Sequence, residues 1–381
     1  MKITDVRVRA VQDELIAPFT NALGTPRPVS KRTWTVTIVE VFTDEGITGV
    51  VANDDFDELS RQLIANQLKP VIVGEDPLNY ERVWRKMFGE RGGWRHASAK
   101  GEAIRAMSAL DCAIWDIIGK ATATPVYQLL GGYRDTVPCY ASGGQYRSLT
   151  SHPEELRHLE SEVQGYMEIG YKAVKIRAGR DITQDYERVK VVRDITGPDV
   201  DLMIDFNTSL TYYGGVSHAI KFMRALEDHN PYWFEDPLLM DDVSGMKQVS
   251  DALDTAIATG EAEQTLWGFR DLIVNRAVDI LLPDAVMCGG VTAWKQIATM
   301  ADAFRIPVAA HCVERVHLHC VAAIPNGLMI EMFRPLDKGR INYEKNPITP
   351  NHDGALEVSQ EPGFGIELDE AYIKKHLVDV R

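Results

Sequence analysis

The chain has 381 residues, 45% apolar and 25% charged, with a formal net charge of −14. That length exceeds one ordinary domain and suits two, each able to bury a large core. The acidic balance argues against nucleic acid as the main partner, because a phosphate backbone calls for a basic face, yet it leaves room for a local anion or metal site.

The opening stretch MKITDVRVRAVQDE alternates like a strand and has no apolar leader core. No run approaches the roughly 18 apolar residues of a membrane span. The five cysteines, Cys112, Cys139, Cys288, Cys312 and Cys320, are odd in number and fit neither a CxxC zinc site nor a disulfide framework. They read as reduced thiols, so a cytoplasmic protein without membrane contact is expected.

KITDVRVRAV and WTVTIVEVFTDEGITGVV, the second broken by the turn DEG, predict an antiparallel sheet. Helical patterns follow in FDELSRQLIANQLKPVIV, LNYERVWRKMF and KGEAIRAMSALDCAIWDIIGKA. Residues 1–125 therefore form a small α+β domain. After GGYRDTVPCYASGG, short apolar runs alternate with longer helical patterns: VPCYAS, AVKIRA, DLMIDFN, YWFEDP, AIATGE, DILLPDA, PVAAHC and GLMIEMF. Eight strand–helix repeats predict an α/β fold, a TIM (β/α) barrel, over residues 126–350. A doubly wound sheet is the alternative, but no GxGxxG opens a helix after a first strand. The tail, residues 351–381, is expected to return to the first domain or to close the barrel bottom.

Reactive groups of a TIM barrel stand at the C-terminal strand ends. From the second run onward those ends carry Lys175 and Arg177, Asp205 and Asn207, Glu235 and Asp236, then Glu261, Asp284, His311 and Glu331. Three successive strands deliver Asp205, Glu235 and Glu261 to one mouth, where three carboxylates cannot all stay charged without compensation. An all-oxygen ligand set favours Mg²⁺ or Mn²⁺ over zinc. Solvated or helix-capping acids are the plain alternative, which suits one such residue better than three in a row. Asp284 ends the strand before His311, so its carboxylate can fix the imidazole tautomer and raise its basicity. Lys175 and Arg177 lie two apart and share a face. Arg177 stays protonated, and by crowding Lys175 it is expected to lower that lysine's pKa. Glu314 is a weaker candidate for substrate contact, and His317 and His319 are given no role.

With these residues in place the chain resembles the enolase superfamily, specifically its mandelate racemase subgroup, nearly end to end. SALDCAIWDIIGK with PVYQLLGG resembles the stretch between capping domain and barrel, and KIR resembles the Lys-x-Lys motif. IDFN, FEDP and TGE resemble the three metal-ligand strands, LPDAVMCGGVT and AAHC the Asp–His dyad, IEMF the following Glu, and PGFGIELD the C-terminal stretch. The resemblance implies an enolase-like modified (β/α) barrel of seven or eight strands beneath an α+β capping domain. It implies one Mg²⁺ on Asp205, Glu235 and Glu261, a base at Lys175, an acid/base at His311 paired with Asp284, and a substrate-carboxylate contact at Glu331. Loops around APFTNALGT and VANDDFDE would close the mouth and choose the substrate. Two departures stand out: Arg177 replaces the commoner Lys, and GVVANDDFDE lacks a GxGE-like stretch.

The implied chemistry is removal of the proton next to a carboxylate, with the metal stabilising the enediolate and Glu331, if protonated, donating to it. Subgroup members resembling this chain are mostly sugar-acid dehydratases that yield 2-keto-3-deoxy acids. Asn53, Asp54, Arg95, His96 and Asn207 offer polar contacts suited to a polyol. A racemase or epimerase of a 2-hydroxy acid, a cycloisomerase, and a non-catalytic binding protein on the same fold are the alternatives. A homo-oligomer, from dimer to octamer, is expected.

Overall fold

The computed structural model describes residues 1–14, 22, 33–54, 56–89, 100–147, 151–333 and 342–381. Among them the alternating N-terminal runs pair antiparallel as β1 (Ile3–Glu14), β2 (Thr33–Thr43) and β3 (Thr48–Asn53). One face of this sheet packs on the helix Glu102–Ala121, which is apolar nearly all round and buried from Ala106 to Gly119, as such a helix must be. A Cβ on Gly49 would lie 1.9 Å from the Ala113 carbonyl oxygen, so only glycine lets β3 approach so closely.

The same helix makes the seam with the second half of the chain. Asp111 accepts from the Thr292 N–H (2.9 Å) and hydroxyl (2.7 Å), and the Trp115 indole donates to that hydroxyl (2.9 Å). Asp116 accepts from the Val50 N–H (2.8 Å), the Phe364 N–H (2.9 Å) and Lys120 Nζ (2.6 Å), joining sheet, tail and helix.

The eight apolar runs become eight parallel strands: β4 (Thr136–Ser142), β5 (Ala173–Arg177), β6 (Asp201–Asp205), β7 (Trp233–Glu235), β8 (Ala256–Thr259), β9 (Ile280–Leu281), β10 (Val308–Ala310) and β11 (Gly327–Phe333). Each pairs with the next, and β11 pairs with β4 to close the barrel. The fold is therefore the enolase-like one, an eight-strand barrel with an antiparallel capping sheet. Beyond it, β12 (Ala355–Glu357) lies antiparallel on the N-terminal end of β4. The last strand, β13 (Leu377–Val380), pairs with β1, giving the order β13-β1-β2-β3. Ile373, from the helix Glu370–His376, completes the second apolar face of the capping sheet with Val11, Val36, Ile38, Val50 and Ala52.

Strand alternation divides the barrel residues by face. Val174, Ile176, Leu202, Ile204 and Phe234 belong to the large core shared with the surrounding helices. Tyr140, Ala173, Met203, Trp233, Ala258, Ile280, Leu282, Ala309 and Met329 form a separate apolar cluster inside the barrel. One step of two residues further along the strands, this floor gives way to charge.

Candidate active site

Register sets the upper layer. Lys175 pairs with Met203, Arg177 with Asp205, and Asp205 with Glu235. The charged residues of β5, β6 and β7 thus stand directly above Ala173, Met203 and Trp233. The turns that follow hold uncommon backbone: Asn207 (φ 45°), Thr208 (61°), Asp236 (44°), Cys312 (42°) and Val313 (42°) all lie in the left-handed region. For a β-branched residue such as Val313 this is a true outlier, of a kind that gathers at functional sites.

Asp205, Glu235 and Glu261 offer carboxylate oxygens that lie within 4.8 Å of one another. Asp205 is held by Asn207, whose backbone N–H donates to Oδ1 (2.7 Å) and whose side-chain amide donates to Oδ2 (3.4 Å). Asn207, expected at the substrate, thus serves at least to orient a carboxylate. The Trp233 indole, from the floor, donates to Glu235 Oε2 (2.9 Å). Asp236 accepts from the Thr259 hydroxyl (2.5 Å), while its Oδ2 is buried without a hydrogen-bond partner.

Three cationic groups answer these acids. Lys175, wholly buried, contacts Glu235, Glu331 (2.9 Å) and Asp205 (3.7 Å), with the Tyr140 ring centroid 5.3 Å from its ammonium. Arg177 contacts Asp205 (2.5 Å), and His311 Nε2 lies 3.4 Å from Glu261. Five carboxyls, of Asp205, Glu235, Glu261, Asp284 and Glu331, contact these three cations, and Asp236 stands among the acids without touching a cation. Burial and mutual repulsion push Glu235 up to about 8, and Asp236 and Glu261 are raised for the same reasons. A hard divalent cation fits such an all-oxygen, over-negative cluster.

Two expectations about charge are corrected. Burial alone would lower the Lys175 pKa, but Glu235, Glu331, Tyr140 and Asp205 outweigh it and raise the value well above normal. Arg177 does not depress it, because its guanidinium is turned to Asp205. Glu331 is expected from sequence to donate if protonated. Burial would raise its pKa, yet Lys175, His311 and Arg177 hold it far below the usual range, so it stands as a carboxylate.

The dyad is built at the ends of β9 and β10. His311 Nδ1 donates to Asp284 Oδ2 (2.8 Å), whose other oxygen accepts from the Val286 N–H (2.7 Å). This leaves Nε2 directed at the acids. Burial would lower the His311 pKa, but Cys312, Glu261 and Asp284 raise it well above normal. His317, given no role from sequence, braces this pair. Its Nε2 accepts from the Ala285 N–H (2.8 Å) and its Nδ1 donates to the Cys312 carbonyl (2.6 Å), a neutral tautomer clamped between the two strand ends. His319 is buried further along the same helix, Glu314–Ala322, and accepts from the Tyr127 N–H (3.2 Å).

The remaining candidates are spread out. Asn53 ends β3 and accepts from the Asp54 N–H (2.8 Å), and the Asp54 charge reaches the Cys312 thiol. Glu314 is buried, and its charge acts on Cys139 of β4. Arg95, His96 and most of the APFTNALGT loop lie outside the described residues. The capping sheet also reaches the barrel rim through Trp34, whose ring stacks on Phe333 of β11 at 6.3 Å, a contact no motif announced.

Residues 3–131 match the family described as the mandelate racemase / muconate lactonizing enzyme N-terminal domain, and residues 158–372 match the enolase C-terminal domain-like family. The chain belongs to the mandelate racemase / muconate lactonizing enzyme family of the enolase superfamily. Within it, the chain is 31% identical over 365 residues to a D-xylonate dehydratase of Haloferax volcanii, covering 90% of this chain and 85% of that one. It is 29% identical over 310 residues to a 3,6-anhydro-alpha-L-galactonate cycloisomerase of Streptomyces coelicolor, covering 81% of each. The L-talarate dehydratase of Polaromonas sp. JS666, solved with Mg and L-glucarate, superposes with a TM-score of 0.84 at 28% identity, covering 100% of this chain and 98% of that one. Relatives in this family thus include sugar-acid dehydratases and cycloisomerases, and a racemase solved with bound magnesium is a further structural neighbour. Among the described residues no helix is long and apolar enough to cross a membrane.

Proposed function

We propose that the protein is a Mg²⁺-dependent dehydratase of an acid sugar, an aldonate or aldarate, yielding a 2-keto-3-deoxy acid. The observation that carries this reading is the meeting of Asp205, Glu235 and Glu261 within 4.8 Å beside the His311–Asp284 dyad. These three acids would hold the cation, which stabilises negative charge developing on the substrate carboxylate as the neighbouring proton leaves. Lys175 and His311 are the groups suited to move protons, since Arg177 cannot give one up. Lys175 would take the α-proton as the free amine, the form favoured once a cation on Glu235 and Asp205 weakens the hold of those acids on its ammonium. The imidazolium of His311, fixed by Asp284, gives its proton to the β-hydroxyl, which departs as water. The enol then collapses to the keto acid. Asn207 keeps Asp205 in place, and Trp233 does the same for Glu235.

A second reading, racemisation or epimerisation, is favoured by one feature: Lys175 and His311 arise on different strands and touch different acids, Glu235 and Glu261. The test is a screen of aldonic and aldaric acids with Mg²⁺. Keto acid trapped by semicarbazide is the expected product. Deuterium uptake at the α-carbon without loss of water would replace dehydration with racemisation. No turnover of either kind, with or without Mg²⁺, would favour a binding protein.

A further inference from the structure

Cys312 follows the dyad histidine directly and is the one cysteine that is not fully buried. Its left-handed φ of 42° turns the thiol into the mouth, where Sγ lies 3.4 Å from His311 Nε2 and 3.7 Å from Glu331 Oε2. The Cys312 N–H also donates to Glu331 Oε2 (3.1 Å), which fixes that carboxylate against the thiol. Donor atoms of His311, Cys312 and Glu331 all lie within 4.8 Å of one another.

This is a different donor set from the three acids. A tetrahedral ion that binds sulfur at about 2.3 Å and nitrogen or oxygen at about 2.0–2.2 Å keeps such donors about 3.6 Å apart. The observed separations of 3.4 and 3.7 Å bracket that spacing. An independent feature points the same way. His311 donates its other ring nitrogen to Asp284, the carboxylate–histidine arrangement that orients and strengthens an imidazole ligand. Soft sulfur and imidazole together select against Mg²⁺ and for a thiophilic ion.

We propose that His311 Nε2, Cys312 Sγ and Glu331 Oε2 form a second cation site, specific for zinc-like ions, with a water completing the tetrahedron. On ligation the Cys312 S–H bond and the Nε2–H bond of the His311 imidazolium both break, the two protons pass to solvent, and sulfur and nitrogen bind as thiolate and neutral imidazole; nothing is oxidised or reduced. The ion takes the nitrogen that the reaction needs, so filling this site shuts the enzyme off. Binding stands apart from the reaction, whereas the inhibition rests on the dyad role proposed above.

The test uses the full chain saturated with Mg²⁺, so that the three acids are occupied, and titrates Co²⁺ as a spectroscopic probe. The expected result is one further Co²⁺ per chain with a thiolate-to-cobalt charge-transfer band. The band should vanish in Cys312→Ser and in Cys312→Ala, and should persist in Glu235→Gln. His311→Asn should weaken binding by at least about tenfold. Absence of the band in the wild type, or its survival in both cysteine variants, overturns the site. Zn²⁺ should inhibit turnover, with at least about tenfold more needed for Cys312→Ser; equal inhibition of both would assign the effect to the three acids and overturn the proposal. A band that disappears with Cys312 while Zn²⁺ leaves turnover untouched would support the site and remove His311 from the reaction.

Discussion

Inside the barrel the same strands carry two layers that differ in every respect but their backbone. The lower holds Met203, Trp233, Ala258, Ile280 and their neighbours, a plug without ionised groups. The upper, two to four residues further on, holds Lys175, Arg177, Asp205, Glu235 and Glu331, all buried and all ionisable. The floor is stable because apolar area has left water. The upper layer survives burial only because each charge has a partner of opposite sign, and several acids remain above their normal pKa even so. A ring of charge that costs stability belongs on a rigid floor, because its groups must hold their positions without help from their own packing.

The largest break in this contrast is expected from the upper layer. Lys175→Ala and His311→Asn should each lower turnover by about 10²–10⁴-fold with the secondary structure intact by circular dichroism. Dehydration retained in His311→Asn would remove its acid role. The floor should answer in the opposite currency: Met203→Ala should lose about 2–5 kcal/mol of stability in urea while calorimetric Mg²⁺ affinity stays close to wild type. Glu235→Gln should reverse that pattern, with Mg²⁺ affinity down by at least about a hundredfold, the upper end of what losing a supporting hydrogen bond costs, and with stability preserved or raised because a repelled carboxylate is gone. Unchanged calorimetric affinity would refute the ligand assignment.

The smallest effect sharpens the comparison through two histidines. His311 is buried among acids and its pKa is raised. His319 is buried without them, and desolvation, aided by Arg315, lowers it from 6.5 to about 3. The folded state therefore keeps His319 neutral while the unfolded chain protonates it. The stability this gives is present above about 6.5 and is lost as pH falls toward about 3. The advantage of wild type over His319→Gln should shrink between urea titrations at about pH 7 and about pH 5.

Much of this architecture was legible before any coordinates. Apolar runs of strand length marked all eight barrel strands, and the rule that reactive groups cluster at strand ends picked out Asp205, Glu235, Glu261, Asp284 and His311. What alternation supplies is the face on which a side chain starts, not where a long one ends. Arg177 and Lys175 were correctly put on one face, yet the guanidinium turns to Asp205 and the ammonium reaches across to Glu331 on β11. His317 escaped notice because its partners are backbone groups, Ala285 N–H and Cys312 C=O, which carry no residue-type signal. The hold of Asn207 on Asp205 could not be seen because polarity in sequence does not say which neighbour a side chain will meet.

The pairing of β13 with β1, and of Ile373 with the far face of the capping sheet, has a practical consequence for anyone recombining this chain with its relatives. Residues 1–125 do not make a transferable lid. Moved alone, they would bare Val11, Val36, Ile38 and Val50 to water and leave β1 with an open edge. A working chimera must import the segment from about Ile366 to Val380 along with the first domain. Whatever substrate preference the cap confers is thus inherited through two stretches lying at opposite ends of this sequence, and single-crossover libraries will separate them.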